Sequence, residues 1–508
     1  MSAPASSPAP DDLAIRVTLD ALLRNNAAAR PDALALSDPP DRASFTDGSP
    51  RRLSYGELDA AVDRLARRFK SFGLPDNSVV AIQLANTVEA VVAPIAALRA
   101  GLVPAPVPVM WRRSDLIAAL GAIDAKAMVT AARIENERPA EIACEAAIEL
   151  FGLSFPCAFG AGVPDGMIPL DLAGERTAEE PTAAAAALAS DRIAIATFDA
   201  AARGYFAVAR SDAQWLAAGL ATLLEARIEA GDRIVSTLPP ASLAGIGSAL
   251  VPWLLCGGTL ELVHSYAPQA IAAAAGAERC HLVAPAAALP ELARPRKNPF
   301  ASVIAVHRGA ATHARDLSAT AAEAIVDLTV FGEIGAVALR RESFDRAKPI
   351  PLGPVTAPMG NAGAPVVIET RCDADGMLAL GGAMVPGRPF PANTKTDVPR
   401  LECSPDGFVR TGFRCRSDAR GGLAIEAGPD GIAMIGGLRF GRDELSARIA
   451  KAVDGAKVEI IDDPWLGARL RIEAENPAAA AEALTAAGLT RLVIEAIVPR
   501  GVKRRAAG

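Results

Sequence analysis

The chain reads as a multidomain α/β protein: two lobes built on parallel sheets, a β subdomain, and a small α+β domain at the C-terminal end. Three observations lead there. At 508 residues it exceeds a single core, since cores stop growing near roughly 250 to 300 residues. Its first part alternates helix and strand signals, as parallel sheets with crossover helices require. From Pro349 to Gly437 the texture turns to short strands split by Gly, Pro and Asp, and a helix-bearing segment then follows.

The elements follow in order. Met1 to Asp12 is Ala/Ser/Pro-rich, lacks the basic and apolar regions of a signal peptide, and is expected to be a disordered tail. Ser54 and Glu57 form a capping-box signature, and the helix they open puts Leu58, Val62, Leu65 and Phe69 on one face. A strand is expected at Val79 to Leu84, a helix at Thr87 to Ala100 closed by Gly101, an extended run at Val103 to Val109, a helix at Ser114 to Ile123 and a strand at Ala127 to Thr130. An Ala-rich stretch from Glu135 to Ser190 reads as a connector, with Glu175 to Pro181 an exposed loop.

Beyond it, strands at Ile193 to Thr197, Arg233 to Thr237, Thr259 to Val263 and Leu282 to Pro285 alternate with helices at Ser211 to Ala226 and Gly245 to Leu255. Val303 to Val306 and Ile325 to Val330 extend that sheet. After Gly436-Gly437 the pattern predicts a helix (Arg442 to Val453), two strands (Lys457 to Ile461, Ala468 to Ala474), a helix (Ala478 to Ala487) and a strand (Leu492 to Ile497). The implied division is a large N-terminal region at 13–437, with lobes at about 13–180 and 181–348 and the β subdomain at about 349–437, then a small domain at 438–508.

Composition excludes several functions. With 51% hydrophobic residues and 22% charged, the chain buries large cores. A net charge of −6, with the clearest basic cluster only Lys503, Arg504 and Arg505, argues against a nucleic-acid partner. The longest apolar stretch, Leu243 to Leu255, contains Pro252 and falls short of the roughly 20 residues a membrane span needs, so a cytoplasmic protein is expected. The seven cysteines show no CxxC spacing and read as small core hydrophobes. The four histidines have no zinc-binding spacing, and no metal site is assigned; His307, flanking Gly309 in a strand-to-loop region, keeps both a site role and a packing role open.

Several weak anchors occur in a fixed order: Ala29-Arg30-Pro31-Asp32-Ala33, Leu53-Ser54-Tyr55-Gly56-Glu57-Leu58, Asn86 followed by Glu89, Phe331-Gly332, Thr411-Gly412, Gly436-Gly437, Asp463-Pro464-Trp465-Leu466-Gly467 and Pro499-Arg500. Together they resemble the adenylate-forming (AMP-binding) superfamily of acyl-CoA synthetases, luciferases and nonribosomal adenylation domains. The resemblance implies an acyl-CoA synthetase-like fold whose small C-terminal domain swings about a hinge. It also implies an acyl-adenylate made from a carboxylate and Mg-ATP, and transfer of the acyl group to coenzyme A.

The site motifs depart from that family. Its phosphate loop, rich in Ser, Thr and Gly so that backbone amides can wrap an anion, corresponds here to Thr197-Phe198-Asp199-Ala200-Ala201-Ala202-Arg203-Gly204-Tyr205-Phe206. Thr197 survives, Tyr205 stands where the loop lysine falls, and Asp199 brings a negative charge to the place of phosphate. Arg203 is a candidate substitute cation, with a surface loop as the alternative. The Mg2+ carboxylate of the family falls at Gly335 in Phe331-Gly332-Glu333-Ile334-Gly335, leaving Glu333 two positions early and expected to point elsewhere. The ribose carboxylate after Thr411-Gly412 has become Phe413, and Lys503 is the only candidate adenylation lysine. By the same resemblance, nucleotide contacts fall at Thr197, Arg203, Gly309, Phe331, Gly332, Glu333, Thr411 and Gly412. The acyl pocket falls at Ser242, His307, Arg308 and Ala310, where Arg308 either narrows the nucleotide slot or turns outward.

Losing one preorganised donor in an oxyanion-type site lowers turnover by roughly 10² to 10³. Two such losses leave a median enzyme of about 10 s⁻¹ at the order of 10⁻³ to 10⁻⁵ s⁻¹. Two functions stay open. In the first, the ligase fold has lost adenylation and the protein is a pseudoenzyme that binds an acyl group, a CoA thioester or a partner enzyme. In the second, it is an AMP-forming carboxylate–CoA ligase whose phosphate handling is rebuilt from Arg203, Glu333, Arg414 and Lys503. ATP, Mg2+ and coenzyme A are implied only by the second. The small-molecule partner is a carboxylate or acyl thioester, with a second copy of the chain or an active ligase as the macromolecular alternatives.

Overall fold

A computed structural model describes residues 17–173, 192–293, 299–308, 316–357, 366–392, 399–417, 421–463 and 467–499. The expected tail, the loop at 175–181, and Gly309, Ala310 and Lys503 lie outside these residues. The architecture is the expected one: two α/β sheets, a β subdomain and a small α+β unit.

The first α/β sheet has five parallel strands in the order Val103–Pro106, Val79–Ile82, Ala127–Ala131, Phe155–Phe159, Ile168–Leu170. The helix Tyr55–Lys70 opens with a complete capping box: Glu57 N–H donates to Ser54 Oγ at 3.3 Å and Ser54 N–H to Glu57 Oε2 at 2.8 Å. Leu58, Val62, Leu65 and Phe69 are buried as the spacing predicts. The helix Val88–Arg99 ends at Gly101, whose φ of +87° places it in the left-handed region.

The described part of the stretch expected to be a connector, up to Ala173, is instead structured. It holds the helix Pro139–Glu149 and the strands Phe155–Phe159 and Ile168–Leu170 that complete this sheet. Alanine-rich helices have little contrast between faces, so periodicity does not reveal them.

The second sheet has eight strands. Its parallel centre runs Ser302–His307, Cys280–Pro285, Arg233–Ser236, Thr259–Leu262, and Leu34–Ser37 joins beside Thr259–Leu262 from near the chain start. The division of lobes near residue 180 therefore remains a proposal, with the sheets interleaved across it. Asn86 stitches them together: its Nδ2 donates to the carbonyls of Ser236 and Val263 at 3.0 and 2.9 Å.

The β subdomain is a six-stranded antiparallel sheet spanning Ile350 to Ala427. The C-terminal unit carries the hairpin Ile432–Ile435/Leu438–Gly441, the helix Arg442–Ala452, the strands Lys457–Asp463 and Gly467–Ala474, and the helix Pro477–Ala486. The strand expected at Leu492 to Ile497 is a short helix, Arg491–Ile494, followed by a strand at Ile497–Pro499. Leu492, Val493 and Ile494 have strand propensity, but Val493 is buried in the cluster around Ile449 and Ile472, and packing decides the geometry.

Candidate functional site

The segment aligned with a phosphate loop folds as a β-hairpin. Ile193–Ala200 pairs antiparallel with Tyr205–Ser211, continuing to the Ala200/Tyr205 pair next to a tight turn. The reason is local. Ile193, Ile195, Thr197, Phe198, Tyr205, Phe206 and Val208 favour extended backbone, and Gly204 supplies the positive φ of +73° that the turn requires. Thr197, Asp199, Ala200 and Tyr205 are all buried, whereas the tip with Ala202 and Arg203 is exposed, so at Arg203 the structure agrees with the surface alternative.

Asp199 is the centre of the arrangement. Its carboxylate accepts from the backbone N–H of Ala200 and of Glu333, each at 2.8 Å. Nη1 of Arg439, in the C-terminal hairpin, approaches both carboxylate oxygens at 2.7 and 2.6 Å. Asp199 is 4% exposed, so the pair is shielded from water. Gly332, at φ +62°, makes room for it: a methyl group there would collide with Oδ2 of Asp199 and Nη1 of Arg439. This is the physical reason for glycine at 332.

Glu333 is buried and lines the cleft, which corrects the expectation that it points elsewhere. Its Oε2 accepts from the N–H of Leu243, and burial pushes its carboxyl up to about 7, opposed by the Arg308 charge. The guanidinium of fully buried Arg210 donates to the carbonyls of Met384, Glu333 and Ile334, and burial pushes it down to about 10. Arg308 turns toward the C-terminal unit: Nη1 donates to the Gly437 carbonyl at 2.9 Å and Nη2 to Ser242 Oγ at 2.8 Å. That decides between its two readings in favour of the cleft. His307 bonds Asp327 through Nε2 at 2.7 Å, and Arg341 holds the same carboxylate at 2.8 and 2.9 Å.

Between the two lobes and the C-terminal unit lies a cavity of about 870 Å³. Ser242, His307, Arg308, Gly332 and Glu333 line it, as do Asp199 and Arg439. Thr197, Arg203, Phe331, Thr411 and Gly412 are not on its wall among the described residues. Thr411 Oγ1 instead donates to the Leu378 carbonyl at 2.8 Å, and Gly412, at φ +78°, packs against Pro429. Phe413, in the place of a ribose carboxylate, is buried edge-on against Phe331 with ring centroids 5.4 Å apart. Aromatic side chains of Trp111, Phe198, Tyr205 and Tyr266 supply much of the apolar wall.

Sequence reasoning missed Arg439, Glu444, Arg448 and Asp115, which surround the hairpin. One signal was present: an acid at 199 inside a buried-strand pattern calls for a nearby cation. Nothing in the sequence said which arginine answers it.

These residues do not fit magnesium-bound triphosphate. In the segment that the resemblance aligns with the phosphate loop, the Asp199 carboxylate already engages Arg439, and Gly335, aligned with the metal carboxylate, packs against Leu380 and Ile368. Among the described residues, no cluster of His, Cys, Asp and Glu is arranged to hold a metal ion. No helix among them is long and apolar enough to cross a membrane.

Residues 23–157 match the family model for AMP-binding enzymes. Curated relatives match over the same kind of short stretch. Glycine betaine reductase ATRR of Emericella nidulans is 41% identical over 83 residues, 16% of this chain and 6% of that protein. The salicyl-AMP ligase / salicyl-S-ArCP synthetase of Mycobacterium tuberculosis is 39% identical over 87 residues, 17% of this chain and 14% of its own length. The 2-hydroxy-7-methoxy-5-methyl-1-naphthoate–CoA ligase of Streptomyces carzinostaticus is 33% identical over 122 residues, 24% of this chain and 22% of the ligase. The chain thus matches less than a quarter of the length of each of these relatives.

Solved structures match over nearly the whole chain. The amide bond synthetase McbA of Marinactinospora thermotolerans superposes with a TM-score of 0.67 at 17% identity, covering 97% of both chains. The apo structure of MbtA from Mycobacterium smegmatis gives 0.60 at 19% identity, covering 98% of this chain and 95% of that one. The chain has the fold of the adenylate-forming superfamily.

Proposed function

We propose that this chain uses the adenylate-forming fold as a binding scaffold: it holds an acyl group or acyl thioester in the cavity and forms no acyl-adenylate. One observation carries the reading. Asp199, in the segment that resembles the superfamily's phosphate loop, is already held in a buried pair with Arg439. An incoming phosphate would meet a like charge and would have to compete for a cation held in a buried ion pair. The apolar and aromatic wall of the cavity supports an acyl or aryl occupant.

The test is thermal unfolding with a panel of acyl-CoA thioesters and with Mg-ATP, alongside ATP–pyrophosphate exchange with fatty, aromatic and alicyclic acids. A matched acyl-CoA at about a hundred times its Kd stabilises by about 2.7 kcal/mol, which reads as a clear rise in Tm. Mg-ATP is expected to leave Tm unchanged and no acid to support exchange. Exchange with any acid overturns the proposal.

A second reading is an adenylate-forming carboxylate–CoA ligase with a rebuilt phosphate site. The chain's similarity over short stretches to a salicyl-AMP ligase and a naphthoate–CoA ligase favours it. Under this reading Lys503→Ala abolishes exchange.

A further inference from the structure

We infer that Asp199 is a resident anion standing in for a ligand phosphate, and that it clasps the C-terminal unit shut over the cavity without any nucleotide. The inference rests on the reading above in one respect, that residues 197–206 take the place of the phosphate loop.

The C-terminal unit grips the N-terminal region at the hairpin Ile193–Ser211 and at the start of the helix Arg113–Ala122, where Ser114 Oγ donates to the Gly488 carbonyl at 2.6 Å. Asp199 takes Arg439 at 2.6 and 2.7 Å. The N–H of Gly204, at the turn, donates to the carboxylate of Glu444 in the first turn of the helix Arg442–Ala452. The Tyr205 hydroxyl meets Asp115 at 3.1 Å, and Arg448 of that same helix donates to Asp115 at 3.0 Å. The backbone of Gly441 sits so close to the carbonyls of Ala201 and Ala202 that any side chain at 441 would collide with them. Hairpin and C-terminal unit are thus fitted backbone to backbone as well as charge to charge.

Arg308 adds a tie from the second lobe by donating to the carbonyl of Gly437, in the turn between the strands Ile432–Ile435 and Leu438–Gly441. Swinging the C-terminal unit away would separate Asp199 from Arg439 and Asp115 from Arg448 together. Both carboxylates are almost wholly shielded from water, so each would lose its charge-assisted bonds before solvent could replace them. In contrast, the outlying pair Arg491–Glu135 is half-exposed on the acid side and screened by water, so it contributes little to closure. In a chain with a free phosphate loop, a bound phosphate would be needed to draw together groups of this kind. Here the anion is part of the chain, and the cavity is roofed before any ligand arrives.

Hydrogen–deuterium exchange of residues 432–441 in the full chain, read with small-angle scattering, tests the clasp on Asp199→Asn, Arg439→Gln and, as a control, Arg491→Gln. Removing either partner of the central pair is expected to speed exchange across 432–441 by about tenfold or more and to raise the radius of gyration, with far-UV circular dichroism unchanged. Arg491→Gln is expected to stay within about twofold of wild type. If Asp199→Asn does not fold, Arg439→Gln decides the matter on its own. Wild-type exchange in every folded variant of the central pair overturns the inference. The outcome is separable from the proposed function: ATP–pyrophosphate exchange in a protein that opens on Asp199→Asn would end the binding-protein reading and leave the clasp standing.

Discussion

Glu333 is the residue whose chemistry departs furthest from its sequence context. It lies in the degenerate Phe331-Gly332-Glu333 motif, is buried at the cavity wall, and has its carboxyl pushed up to about 7 by burial. The folded-state value is above the ordinary value of 4.5, so the stabilising contribution of the neutral acid is complete below about pH 4.5 and is lost as pH rises through about 7. The full swing is about 3 kcal/mol at about 1.4 kcal/mol per unit. Urea unfolding at about pH 5 and about pH 8 is expected to show wild type losing stability toward the higher pH and Glu333→Gln losing much less. Equal slopes for the two proteins would show that Glu333 does not titrate in this range. The raised carboxyl is not legible in the sequence, because burial arises from packing that no local motif encodes. What raises its proton affinity is burial, with the Asp199 charge adding to it, against the opposing pull of Arg308, the Leu243 N–H and Arg210; all four residues are distant along the chain.

At the scale of elements, the parallel strands of the larger sheet carry a second polar chain that resembles a catalytic triad and is not one. Ser302 Oγ lies 2.7 Å from Nδ1 of His281, and Nε2 of His281 lies 2.9 Å from Asp232. The three residues sit at or just before the starts of the strands Ser302–His307, Cys280–Pro285 and Arg233–Ser236, away from the cavity wall. Ser302 and His281 are fully buried, so no substrate reaches the hydroxyl. The chain is a cross-strand tie. Burial lowers the His281 pKa below its usual value, so the imidazole is neutral when folded; the tie's contribution is present above about pH 6.5 and is lost as pH falls through the folded value. His281→Ala is expected to cost about 2 to 3 kcal/mol in chemical denaturation while leaving acyl-CoA binding unchanged. A loss of binding with stability intact would mean that this chain reaches the site after all. Elements of this sheet were legible because buried strands of Val, Ile and Leu alternate with capped helices. The helix Pro139–Glu149 was not, because its PAEIACEAAIE run offers small side chains on every face.

For the whole molecule, the question is how three bodies share one cavity. The contacts that close it divide by exposure: Asp199–Arg439 and Asp115–Arg448 have acids only 3% and 1% exposed, whereas Arg491–Glu135 has an acid 48% exposed. Salt at about 1 M, with a screening length of about 3 Å, weakens the exposed pair and scarcely touches the shielded ones. The scattering profile of the protein is therefore expected to be the same at about 0.1 M and about 1 M NaCl. An expansion at high salt would place closure on the surface pairs.

The sequence by itself determined the fold class, most elements of the two α/β sheets, and the departure of residues 197–206 from a Ser/Thr/Gly-rich loop, because caps, periodicity and turn residues act within a few positions of one another. Only the tertiary structure decided that Asp199 meets Arg439, 240 residues further on, and that Glu333 and Arg308 face one cavity. Contacts at that separation are selected by how lobes pack and which charges they shield from water, and neither quantity is a property of any local stretch of chain.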